Sequence, residues 1–197
     1  DIDYDKNDTN IIKYMKLNEH FVNLFFDYLN NININDQKKK LTLKDDIYNF
    51  ENKFNYNFKE FWKNSNKSNL LNELYKCSSK IVNLIFNTFN SKGPLIIFSN
   101  YVKMEGIEII KLYLKFFGFK NFNDQSSKDN YRYTEYLGNI DMETREKNRK
   151  IFNKKDNMYG KIIKIIFISP AGSEGISLKN IRQVHVLEPF WNEVRIT

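Results

Sequence analysis

The most apolar run of the chain, Ile162-Ile163-Lys164-Ile165-Ile166-Phe167-Ile168, empties into Ser169-Pro170-Ala171-Gly172-Ser173-Glu174-Gly175-Ile176-Ser177-Leu178. A β-branched run stopped by Pro and Gly reads as a buried strand ending in a tight loop, which restricts the chain to folds with a covered sheet. Two glycines three residues apart leave backbone N–H groups clear of any Cβ, an arrangement that admits phosphate oxygens. Leu95-Ile96-Ile97-Phe98 running into Ser99-Asn100-Tyr101 has the same strand-then-loop form, and so has Val184-His185-Val186-Leu187 running into Glu188-Pro189.

Helical signals lie between these blocks. Ile81, Leu84, Ile85 and Phe89 recur at helical spacing behind Ser78-Ser79 and are stopped by Gly93-Pro94; Ile107, Ile110, Leu114 and Phe117 do so ahead of Gly118. Tyr131 to Leu137 reads as a strand ended by Gly138, and Asp141 opens a helix through Thr144-Arg145-Glu146 toward Ile151-Phe152. Residues 119–130 and 153–160 are polar and read as loops. This alternation predicts an α/β fold, a parallel sheet covered by helices. Ser99, Asn100 and Ser169 each follow a strand, so all three are expected at one edge of that sheet.

Residues 1–68 read as a helical segment set before the sheet. Ile11, Met15, Val22, Phe25 and Leu29 share a helical face, whereas Asn30 to Lys40 lacks periodicity, ends in Lys38-Lys39-Lys40 and is expected to be a loop. Thr42 resembles an N-cap, and Leu43, Ile47, Phe50, Phe54, Phe58 and Phe61 predict one long helix with an aromatic stripe. That regular period fits packing against another helix better than base stacking. The polar Asn64 to Asn69 marks the domain boundary, giving segments 1–68 and 69–197. Leu70, Leu71 and Leu74 open the second segment as a short helix.

Composition bounds the partners. A single cysteine, Cys77, excludes an intrachain disulfide, and two distant histidines, His20 and His185, form no metal-ligand pattern. No apolar run approaches the roughly 20 residues a bilayer span needs, so a soluble protein with no membrane partner is expected. The net charge of +7 suits a nucleic-acid partner. An AT-rich genome, which favours Asn, Lys, Ile, Phe and Tyr, produces the same surplus without one, and it fits a viral or parasite source. The chain opens on Asp1 without a signal-peptide pattern, and a piece of something longer is expected.

Ile168-Ser169-Pro170-Ala171-Gly172-Ser173-Glu174-Gly175-Ile176-Ser177-Leu178, followed by Arg182-Gln183-Val184-His185-Val186-Leu187-Glu188-Pro189-Phe190-Trp191-Asn192-Glu193-Val194-Arg195, resembles motif V and its sequel in superfamily 2 helicases. In look it is nearest to the large-DNA-virus branch of poxvirus, asfarvirus and mimivirus type, whose nucleoside triphosphatases are related to Swi/Snf-type translocases. The resemblance covers roughly residues 77–197 and implies the second RecA-like lobe of such an enzyme. It implies nucleic-acid contacts from Ser99 and Asn100 in motif IV, from Ser169 and Gly172 in motif V, and from Arg145, paired with Gly138. It implies ATP contacts from Glu174, Gly175 and Ser177, although Ser177 stands where many members have Asp or Asn near the ribose. Glu188 and Trp191 match the acidic and aromatic positions before motif VI, and Trp191 is expected to be buried.

The sequence holds no Gly-x-x-x-x-Gly-Lys-Ser/Thr loop and no Asp-Glu pair after an apolar strand, so no catalytic residue is assigned in it. ATP and Mg2+ are expected to be held mainly by a first lobe of the same polypeptide, with motif VI and its arginine finger falling after Thr197. The isolated chain is expected to be inactive. The expected partners are DNA or RNA, the first lobe and viral transcription machinery, and the expected place is the cytoplasmic viral factory or virion, or an intracellular site, the nucleus included, for a non-viral source. The rival reading is a helicase-like lobe that binds nucleic acid or a transcription partner without hydrolysis. A Rossmann-type enzyme is disfavoured because no Gly-x-Gly-x-x-Gly follows the first strand.

Overall fold

The computed structural model describes residues 2–5, 7–104, 106–124, 131–173 and 175–188. In chain order the elements are α1 (Asn10–Lys39), α2 (Leu43–Asn52), α3 (Phe58–Asn64), α4 (Asn69–Cys77), α5 (Ser79–Asn90), β1 (Leu95–Phe98), α6 (Ile107–Phe116), β2 (Lys120–Asn121), β3 (Arg132–Tyr136), α7 (Met142–Phe152), β4 (Ile165–Ile168), α8 (Pro170–Ser173) and β5 (Gln183–Val186). They fall into two compact units, one of Asp1–Phe86 with Lys103–Phe117, the other of Asn87–Val102 with Gly118–Thr197. The boundary read from the sequence at 68/69 lies inside the first unit. There Ser68 is buried, with its N–H and Oγ both donating to the Asp46 carboxylate.

The first unit is helical and aromatic. Phe50 meets Phe86 edge-on at 4.7 Å and Phe61 at 5.7 Å, while Phe61 stacks on Phe86 at 5.3 Å. Edge-to-face pairs at these separations are favourable beyond their burial, and the stripe expected to be core is core at Phe50 and Phe61. It does not lie on one helix, however. Asn55 and Tyr56 have left-handed φ of 44° and 60°, which ends α2, and the Asn57 side chain then accepts from Glu60 N to start α3. The expected loop 30–40 is also helix, because α1 continues to Lys39. Its polar last turns are held from outside: buried Asp36 accepts from Leu70 N at 2.7 Å and from Asn69 Nδ2 at 2.7 Å. Lys38 and Lys39 suit the negative end of the helix dipole.

The second unit carries a parallel sheet with strand order β2-β3-β4-β1-β5. β4 is buried along its whole length, which is why its sequence is apolar at every position rather than at alternate ones. Tyr136, Phe152, Ile163, Ile166 and Ile168 form the core on one face. Asp141 caps α7 by accepting from Thr144 N at 2.8 Å. The polar segment after α7 is stapled by buried Asn157, which donates to Phe152 O and Ile163 O and accepts from Ile162 N and Ile163 N, using its full capacity. β4 consequently starts at Ile165 rather than at Ile162. Two residues of the expected loop 119–130, Lys120 and Asn121, form β2; residues 125–130 lie outside the described residues.

Candidate nucleic-acid interface

Register brings the strand ends together. Phe98 of β1 pairs with Ile168 of β4 on one side and Val186 of β5 on the other, and Ile168 pairs with Tyr136 of β3. Ser99, Ser169, Leu187 and Leu137 therefore leave the sheet side by side at its carboxyl edge, where an open parallel sheet presents its ligand crevice. Two bonds continue the ladder past the last paired residues: Ser99 N donates to Ile168 O at 3.1 Å, and Leu187 N donates to Phe98 O at 3.0 Å. Ser99, Asn100 and Ser169 thus share one edge, as their positions after strands require.

The Ser99-Asn100-Tyr101 turn is internally tied. Ser99 is buried; its Oγ lies 2.9 Å from Glu188 Oε2 and 2.9 Å from Tyr101 O, and it accepts from Tyr101 N at 3.1 Å. Asn100 N donates to the same Glu188 Oε2 at 2.9 Å, and Asn100 Nδ2 donates to Glu188 O at 3.0 Å. Ser99 acts here as an organiser of its loop, while the Tyr101 ring is exposed.

The motif V loop opens with buried Ser169 and then forms the single turn α8, a helical piece within what the sequence presents as loop. Gly172 sits in that turn. Gly175 has φ +71°, and among the described residues no atom beyond its chain neighbours stands within 4 Å of where a Cβ would be, so its backbone faces open space in a conformation that L side chains resist. At Gly138 a Cβ would stand 2.8 Å from the Ala171 Cβ, so the turn after β3 lies against α8 only because that side chain is missing. The far end of the loop is also held. Asn153 Nδ2 donates to Ser177 O at 2.8 Å, Asn153 Oδ1 accepts from Lys179 N at 2.8 Å, and Arg149 Nη1 reaches Ser177 O at 3.5 Å. Ser177 itself is exposed.

Arg145 lies on the face of Tyr136, its guanidinium carbon 5.4 Å from the ring centroid and its Nε buried without a hydrogen bond. Tyr136 Oη donates to Glu146 at 2.9 Å, and Arg149 donates to the same carboxylate through Nε and Nη2. That pairing with Arg149 holds the Glu146 carboxyl below its usual range. Arg145 is thus a stacked cation on a ring whose hydroxyl is fixed, neither a helix cap nor a freely solvated side chain.

Sequence reasoning overlooked Arg149, Glu146 and Asn153, which orient the site without belonging to a motif. The signal for Asn153 is an amide placed directly after the helix end; none marks the other two. Glu174 and Trp191 lie outside the described residues. Among the described residues, no group of three or more His, Cys, Asp or Glu could hold a metal ion, and no helix is long and apolar enough to cross a membrane.

Comparison with known proteins follows the same lines. A helicase conserved C-terminal domain model matches residues 76–197. A protein of Acanthamoeba polyphaga mimivirus named as an ATP-dependent RNA helicase is 39% identical over 188 residues, 93% of this chain and 23% of the relative. The nucleoside triphosphatase I of Melanoplus sanguinipes entomopoxvirus is 33% identical over 129 residues, 66% of this chain and 18% of the relative. An African swine fever virus homolog of termination factor NPH-I is 29% identical over 152 residues, 60% and 21% respectively. The chain spans only about a fifth of the length of these relatives. With a strand-end site of this geometry and a family match over most of its length, the chain belongs to the helicase conserved C-terminal domain family, as a second RecA-like lobe of superfamily 2 related to large-DNA-virus helicases and nucleoside triphosphatases.

Proposed function

We propose that the whole protein is an ATP-dependent helicase or translocase acting on DNA or RNA in viral transcription or genome handling, in the cytoplasmic factory or the virion. The observation that carries this reading is the alignment of the Ser99-Asn100 turn, the Ser169 to Ser177 loop and Arg145 around one carboxyl edge. Because Glu188 holds the Ser99 hydroxyl and the Asn100 N–H, that turn supplies shape, the loop at Gly175 supplies open backbone and Arg145 adds charge, which together suit a phosphate track. On the nucleotide side, the open backbone at Gly175 fits the approach of ATP, exposed Ser177 follows it two residues on, and Glu174 is assigned to the same role from the family pattern alone. Among the described residues no acidic cluster fits a Mg2+ site, and in this reading the metal and the phosphate-binding lysine belong to the first lobe. Bound ATP would draw the two lobes together, and its hydrolysis would release them, shifting the grip of this edge along the strand.

Hydrolysis by the full-length protein, measured with and without single-stranded DNA or RNA, tests the proposal. Nucleic acid is expected to stimulate the wild type. Gly175→Val is expected to remove most of that stimulation, because a β-branched residue at φ +71° is strained and its side chain fills the space the ligand needs. Stimulation of the variant at the wild-type level would contradict the assignment. Residues 1–197 alone should release no phosphate above background, since transition-state stabilisation needs groups this chain does not carry.

A further inference from the structure

Glu188 stands at an odd place for an acid, because a carboxylate beside a phosphate track repels the ligand unless its charge is spent on other partners. Here it is directed inward. One oxygen, Oε2, accepts from both Ser99 Oγ and Asn100 N at 2.9 Å, and its backbone carbonyl accepts from the Asn100 side chain at 3.0 Å. The Ser99 hydroxyl has one proton and two acceptors in reach, Glu188 Oε2 and Tyr101 O. A charged acceptor makes the stronger bond, so the proton goes to the carboxylate and an Oγ lone pair is turned toward Tyr101 N, 3.1 Å away. One carboxylate therefore sets the N–H group of Asn100 directly and that of Tyr101 through Ser99 Oγ, while the Glu188 backbone carbonyl orients the Asn100 amide. These tie the turn after β1 to the chain leaving β5, 88 residues later.

We propose that Glu188 is a positioning residue for nucleic-acid binding, holding the Ser99-Asn100-Tyr101 turn in the shape that meets the phosphate backbone. It touches no ligand itself and acts through Ser99 and Asn100. The inference rests on the reading of this edge as a nucleic-acid interface.

The test is ATP hydrolysis by the full-length protein titrated with poly(dT) and with poly(U), in wild type, Glu188→Ala, Glu188→Gln, Ser99→Ala and the double variant Ser99→Ala/Glu188→Ala. Each preparation is checked for a cooperative thermal transition. Glu188→Ala removes both hydrogen bonds to the carboxylate and should raise the half-stimulating concentration of nucleic acid by about ten-fold or more, with KM for ATP at saturating nucleic acid changed less than about two-fold. Glu188→Gln keeps an oxygen that accepts both donors and should stay within about three-fold of wild type. The double variant should be no worse than Glu188→Ala, because both changes remove one linkage. An unchanged half-stimulating concentration in Glu188→Ala, or equal shifts in that concentration and in KM for ATP, would overturn the proposal. If Glu188→Ala does not fold, Ser99→Ala decides: a wild-type half-stimulating concentration there overturns it. A wild type stimulated by neither polymer would overturn the reading of the edge itself, and the proposal with it.

Discussion

At the scale of single residues, three positions of the sheet-bearing unit act through what their side chains are or are not, Gly138 and Gly175 in the site and Asn157 ahead of β4. Gly138 is the tightest, since a Cβ there would stand 2.8 Å from that of Ala171. Gly138→Ala should shift α8, cost about 1–3 kcal/mol as an overpacked contact does, and lower nucleic-acid-stimulated hydrolysis; thermal denaturation and the hydrolysis assay read the two effects separately. Asn157 is the opposite case, a side chain that replaces backbone partners. Asn157→Ala strands two carbonyls and two N–H groups in a buried loop and should destabilise the protein by about 3 kcal/mol in urea denaturation. Gly175 was legible because glycine near the end of a strand loop signals positive φ. Gly138 is legible as a strand terminator and as the partner of Arg145 in the family pattern, but its contact with Ala171, 33 residues away in sequence, is not, since no local pattern reports such a contact.

At the scale of elements, α4 shows how buried carboxylates replace water at a helix start. Asp36 accepts from Leu70 N, and Asp46 accepts from Ser68, whose Oγ accepts in turn from Leu71 N at 3.1 Å. Burial pushes the Asp46 carboxyl up to about 6 from 3.8, against the opposing pull of its bonds from Ser68. The folded state holds this proton more tightly than the unfolded chain, so the stabilisation is fully present below pH 3.8 and is lost as pH rises through about 6. Asp46→Asn, which removes the titration and keeps an accepting oxygen, should therefore gain about 1.5 kcal/mol relative to wild type between pH 5 and pH 7.5. Unfolding free energies of the two proteins at both pH values check this, and a constant difference would contradict it. The same long-range bonds explain which elements the sequence conceals. The apolar blocks at 95–98, 165–168 and 183–186 are visible because parallel strands are buried on both faces or end in recognisable loops. The end of α1 carries only Ile32 and Ile34 among polar residues and is held by Asp36 contacts 33 and 34 residues away, so periodicity reads it as loop. The break between α2 and α3 is hidden for another reason: the aromatic spacing continues across it while Asn55 and Tyr56 turn left-handed.

At the scale of the molecule, the parallel alternation and the motif V block identify the sheet-bearing unit, whereas the composition of the helical unit, with Lys103–Phe117 included, could not be read from the chain. Polar stretches such as Asn64 to Asn69 mark turns in the backbone, not separations between packed bodies, and here buried Ser68 sits within such a stretch. In the proposed function, nucleic acid meets the carboxyl edge of the β2-β3-β4-β1-β5 sheet. Hydrogen–deuterium exchange of the full-length protein, with and without a single-stranded oligonucleotide and in the absence of ATP, tests it most directly. Added protection is expected in peptides covering residues 99–101 and 169–178, with none in those covering 91–94 and 157–164 at the opposite edge. Protection at the opposite edge, or none at residues 99–101 and 169–178 under saturating oligonucleotide, would contradict it.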